Sequence, residues 1–265
     1  MHELSLFGQV PLARHEQVLN ILAGLAAMQP RPLYERHLIL APLQGSNQNK
    51  VNKKFPNKPV QNQPVSYIQL IKTISADDFG KEAPLTTQSD AAAGQQTHSG
   101  WVVRTQEIPE PETKNLVLRM VSESDVVAED LPQYFDPSKY RYVPVFHSYD
   151  QCSRYSRFMN EYIVEGQRLI HKDIVLTLHR ILYFGPQDPS QATAFKTVLP
   201  PLENIPLLDT SGAFILEACV RVDDRTKPAL IKAATEELGR FKNEMKGSVD
   251  LRNPERLALD TRVKN

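Results

Sequence analysis

Phe214-Ile215-Leu216-Glu217-Ala218-Cys219-Val220-Arg221-Val222 alternates along its whole length. Phe214, Leu216, Ala218, Val220 and Val222 fall on one face; Ile215, Glu217, Cys219 and Arg221 fall on the other. A period of two belongs to a β-strand and not to a helix. Upstream, Phe158 to Val164, Gln167 to Ile170 and Asp173 to Phe184 read as close strand neighbours, with Gly166 where a hairpin turns.

Further out the pattern repeats. Leu4 to Val10, Leu33 to Ala41, Val65 to Ile74, Trp101 to Gln106, Leu116 to Val121 and Ser248 to Leu251 read as strands. So does Tyr140 to Phe146, where Pro144 marks an edge or bulge. Two helices flank this set. Arg14 to Met28 places Val18, Leu19, Ile21, Leu22, Leu25 and Ala26 at helical spacing, closed by Pro30 and Pro32. Thr226 to Lys246 carries a stripe of Leu230, Ile231, Ala234, Leu238, Phe241 and Met245. Thr226 fits the N-cap, Pro228 the first turn and Gly247 the C-cap. Gly239, inside that helix, points to close packing on a neighbour, since Gly there costs about 1 kcal/mol relative to Ala.

The connectors are polar and rich in Pro. Residues 43 to 64 form a loop. Residues 75 to 99 hold too little apolar surface to offset their ordering entropy and are expected to be a disordered insertion. Residues 122 to 138 are acidic and turn-rich, and 185 to 212 form a long Pro-rich loop. The expectation is one α+β domain over 1–265, with about ten mainly antiparallel strands and a helix near each end. Many short strands of this kind make a sandwich or a barrel.

Composition narrows the function classes. The 265 residues hold 31 Lys and Arg against 31 Asp and Glu, so no global polycation exists for nucleic acid. The 11 glycines fall short of the roughly 19 of average usage, which argues against glycine-rich phosphate loops. No stretch approaches the roughly 18 apolar residues of a membrane span, and the first residues show no secretory signal. Cys152 and Cys219 stand alone and read as free thiols of a reducing compartment.

No catalytic motif stands out. His2, His15, His37, His98, His147, His171 and His179 form neither HExxH nor a short pair, so no metal site or cofactor is expected. GxxxxGK[ST], GxGxxG and GxSxG are absent. Metal-dependent phosphate chemistry inside a barrel needs acids facing inward from several strands. The ExE of Glu110 and Glu112 is interleaved with Pro109 and Pro111, and so reads as loop or edge. Glu161 and Glu165 share a strand face, read as solvated beside Arg157 or Arg168, and Glu217 stands alone. Charge is nonetheless uneven: Arg31 to Lys72 is basic and Glu107 to Asp136 acidic, a division suited to protein partners. Lys50 to Lys58 offers a weaker nucleic-acid reading.

The ordered pieces resemble a known family. Leu4-Ser5-Leu6-Phe7-Gly8 with its following helix is similar to the opening of Mediator complex subunit 18. Trp101-Val102-Val103-Arg104 with Ile108-Pro109 resembles its central Trp segment. Phe158-Met159-Asn160-Glu161-Tyr162, Gly166 and Asp173 to Ile181 resemble its next hairpin. Ser211-Gly212-Ala213-Phe214, Val249-Asp250-Leu251 and Asp260-Thr261-Arg262-Val263 resemble its ending. The resemblance spans nearly the whole chain and departs at 75–99, where the family's variable insertion is short here.

It implies a multi-stranded antiparallel β-barrel with flanking helices. It also implies a non-enzymatic nuclear subunit of the Mediator head module, paired with Mediator subunit 20 and held by a C-terminal helix of subunit 8. Through the head module, such a subunit couples regulators to RNA polymerase II. Trp101, Tyr162, Tyr183 and Phe184 are the expected partner anchors, because large aromatics dominate interface energetics. The rival reading is a tunnel-type triphosphatase acting through Glu161 or Glu217.

Overall fold

A computed structural model describes residues 1–43, 66–83, 98–111, 115–127, 131, 155–184, 196–224 and 226–263. Within them, eight strands close into one antiparallel barrel. The strands are β1 (His2–Val10), β2 (Arg31–Leu43), β3 (Ile68–Thr73), β4 (His98–Gln106), β5 (Val117–Val127), β6 (Tyr155–His171), β7 (Ile174–Tyr183) and β8 (Phe214–Val222). Their order around the barrel is β1-β5-β4-β3-β2-β6-β7-β8, and β8 pairs back onto β1 from Val10↔Phe214 to His2↔Val222. Closure leaves no open sheet edge. The expected count of about ten comes down to eight because β6 runs unbroken through Gly166, and 248–251 is not a strand. The Tyr140 to Phe146 strand lies outside the described residues.

Gly166 is a close-approach residue and not a turn. A Cβ there would meet the Leu178 carbonyl oxygen at 2.1 Å and the His179 Cα at 2.7 Å on neighbouring β7. The hairpin turns instead between the paired residues His171 and Ile174, where Lys172 takes a left-handed φ of 55°. β5 is longer than expected. The acids Glu123 and Asp125, read as part of a turn-rich connector, belong to the strand.

The two helices are α1 (His15–Ala26) and α2 (Pro228–Glu244). α1 packs on β6, and α2 on β8 and β1. Val18 and Leu22 of α1 and Leu238 and Phe241 of α2 are buried with Leu4, Leu6, Leu176, Leu178, Leu216, Ala218 and Val220. Each fully buried Leu contributes roughly 1.5–3 kcal/mol, so this seam carries much of the stability. The interior of eight strands is just wide enough for side chains, so the helix-covered face is the outer one.

The N-cap of α2 is Lys227 and not Thr226, whose hydroxyl donates to Asp224 Oδ1 at 2.5 Å. Gly247 follows the helix with a φ of 88°, as its stop signal requires. Gly239 has nothing within 4 Å of a built Cβ, so the expected close packing there is absent.

The other outer wall is covered by connectors. Residues 75–83, read as disordered, begin with a 3-10 turn at Ala76–Asp78, boxed by Ser75 and Asp78. Phe79 and Ala83 pack with Leu199 and Leu202 against Ile163 and Leu182. Residues 84–97 lie outside the described residues, as does 185–195 of the Pro-rich loop. The tail closes over β1, with Val249 and Leu251 buried and Phe7 and Arg252 exchanging backbone hydrogen bonds.

Candidate functional site

Strand alternation divides the charged side chains between the inner and outer faces of the barrel. The register pairs Glu3 with Arg119 and Arg221, Arg104 with Glu123, Glu35 with Val164, and His37 with Tyr162. These residues share the face opposite the helices, so they line the interior. Arg104 donates to Glu3 at 2.6 Å and to Glu123 at 2.9 Å. Arg221 reaches Glu3 at 3.1 Å and both oxygens of Glu123. Inward acids therefore come from β1, β2, β5 and β8, which corrects the expectation that they are missing. Glu3, Glu35 and Glu123 each face a guanidinium.

Further around the interior, Glu35 accepts from Arg168 at 2.9 Å and lies 3.2 Å from His37 Nε2. Burial alone would push its carboxyl up. The His37 hydrogen bond and charge, with Arg168, outweigh that and hold it at about 2. Burial lowers His179 from its ordinary value, against the opposing charge of Glu217. The Cys219 thiol is pushed up to about 12, first by burial and then by Glu3 and Glu217, so it is a poor nucleophile. Cys152 lies outside the described residues.

The rival's acids do not meet. Glu161 is on the outer wall, buried against Arg36 at 2.7 Å, and not on a solvated face. The remaining Arg36 donors go to the Ala83 and Lys196 carbonyls, and Glu161 accepts from the Lys196 amide. This buried pair therefore clamps two connectors to the barrel wall. Glu165 pairs with Arg180 at 2.9 Å. Glu217 is on the opposite, inner face of β8. Among the described residues, no group of three His, Cys, Asp or Glu side chains is placed to hold a metal ion.

The four aromatic anchors separate. Trp101 is 1% exposed, buried in one cluster with Leu38, Leu40, Leu70 and Leu131, with Arg36 and Lys72 about 6 Å from its ring centre. It is a wall residue and presents no free face. Tyr162 stacks on His37 at 4.9 Å inside the barrel, and burial pushes its hydroxyl up to about 12. Tyr183 sits opposite Tyr162 in the β6–β7 ladder. Phe184 is half-buried against the Ile163–Leu182 cluster. At the same end of β7, a cavity of about 450 Å³ opens among Phe7, Ile181, Leu207, Phe214, Ile215 and Leu259. Leu208 on its rim is 57% exposed. The sequence reading missed both this cavity and the interior cluster. Arg104, Arg221 and Glu3 each interrupt an apolar strand at inward positions, which was the available signal.

The Med18 protein family model matches residues 2–262. The chain belongs to that family. "Mediator of RNA polymerase II transcription subunit 18" of Coccidioides immitis is 32% identical, and that of Neosartorya fischeri 30%, each covering 100% of both chains. A chain in the structure of the Schizosaccharomyces pombe Mediator head module superposes with a TM-score of 0.62 at 19% identity. That superposition covers 96% of this chain and 99% of the other, and shows a shared fold.

Proposed function

We propose that this chain is a non-enzymatic structural and adaptor subunit of the Mediator head module, working in the nucleus. It pairs there with Mediator subunit 20, is held by the C-terminal helix of subunit 8, and couples regulators to RNA polymerase II. The observation that carries this reading is the alignment, over the full length of both chains, with relatives named as Mediator subunit 18. The barrel supports it. Ion pairs occupy the interior acids Glu3, Glu35 and Glu123, so the outer wall and the barrel ends are left for partners. A partner helix would lay its apolar stripe along such a surface. Trp101 is buried and Tyr162, though partly exposed, is stacked on His37 inside the barrel; Tyr183 and Phe184, partly exposed where β7 ends, are the contacts we assign.

A pulldown with purified subunit 20 and a subunit 8 C-terminal peptide tests the reading. Stable retention of both is expected, weakened by Phe184→Ala. Retention of neither overturns it. The Lys50 to Lys58 loop lies outside the described residues and adds nothing to this reading.

A further inference from the structure

The interior cluster at one end of the barrel does not balance in charge. Arg104, Arg119 and Arg221 bring three guanidinium groups to two carboxylates, Glu3 and Glu123. Asp125, the next inward acid on β5, is exposed and joins no ion pair among the described residues. Arg119 is 7% exposed, and among the described residues its one ion-pair contact is Glu3 at 3.6 Å. Its Nε and that of Arg104 are buried with no hydrogen-bond partner. Buried donors are almost always satisfied, so two unpartnered guanidinium edges in one cluster call for an acceptor. Arg221, with 43% of its side chain exposed, brings the cluster to solvent.

We propose that this end of the barrel interior binds a phosphate-type oxyanion. Arg119 and Arg104 take it on their unpartnered edges, and Arg221 stands at the entrance. Guanidinium forks match phosphate oxygens in geometry and supply charge-assisted hydrogen bonds. The surplus positive charge is what an anion would neutralise. Glu3 and Glu123 hold the three arginines in place. The assignment is one of binding and not of hydrolysis, and it stands independently of the Mediator reading. Free phosphate and the phosphates of a nucleotide share this chemistry.

Isothermal titration of the full chain in low-salt chloride buffer tests it, with orthophosphate and ATP as probes and glutamate as a carboxylate control. Saturable one-to-one binding of a phosphate probe is expected, with none of glutamate. Orthophosphate without ATP assigns free phosphate, and ATP binding assigns a nucleotide source. Arg119→Met should weaken binding about tenfold or more with an unchanged circular dichroism spectrum. Should that variant not fold, the more exposed Arg221→Met decides, and it too should weaken binding. No saturable heat with either probe overturns the proposal. Equal binding of glutamate, or unchanged affinity in the folded variants, overturns it as well.

Discussion

Glycines 166 and 239 look alike in the sequence and do opposite things. At Gly166 a Cβ would fall 2.1 Å from a backbone oxygen that cannot move aside. Gly166→Ala should therefore destabilise the fold by about 1–3 kcal/mol or more through overpacking. At Gly239 a Cβ meets nothing, so Gly239→Ala should stabilise the protein by up to about 1 kcal/mol. At this chain size that raises Tm by about 2–4 °C, and differential scanning calorimetry on both variants checks the pair. Glu35 sets a pH dependence. Its folded pKa lies below the ordinary 4.5, at about 2. The stability it contributes is thus complete above pH 4.5 and lost as pH falls towards 2. Urea midpoints measured across that window should fall less steeply for Glu35→Gln than for the wild type.

At the scale of elements, what was legible followed from local period. β8 and the stripe of α2 were readable because each is amphipathic over its own length. β5 was cut short because Glu123 and Asp125 look like loop acids. The partners of Glu123 are Arg104, 19 residues away across the β4–β5 pair, and Arg221, 98 away on β8, which only the barrel as a whole brings near. The same distance problem hid the interior cluster, since Arg104 and Glu3 are 101 residues apart. Alternation gives Trp101 a face but not its burial, which sets it apart from the exposed surface expected of an anchor. It is buried in one cluster with Leu38, Leu40, Leu70 and, from beyond the end of β5, Leu131. The tail is an element in function although it forms no strand. It buries Val249 and Leu251 and hydrogen-bonds β1 at Phe7. A Cβ on Gly8 would strike Val249 at 2.5 Å, so the tail lies directly on the strand. Truncation after Lys246 should cost several kcal/mol, since two core side chains are lost, and a lower urea midpoint would register it.

For the whole molecule, zero net charge conceals an inside and an outside. The basic segment Arg31–Lys72 and the acidic segment Glu107–Asp136 are not left wholly to the surface. Part of each is consumed internally: Arg36 on Glu161, and Glu123 on Arg104 and Arg221. The interior cluster of Arg104, Arg119, Arg221, Glu3 and Glu123 holds one more guanidinium than carboxylate, while the outer wall is mainly apolar, carries the Arg36–Glu161 pair, and is covered by helices and connectors. The central claim is that this surface docks into Mediator. The direct measurement is affinity purification of the tagged chain from nuclear extract, with the co-purifying proteins identified by mass spectrometry. Recovery of Mediator head subunits in near-equal amounts is the predicted result. Recovery of the chain alone, as a monomer free of every Mediator subunit, would contradict the account.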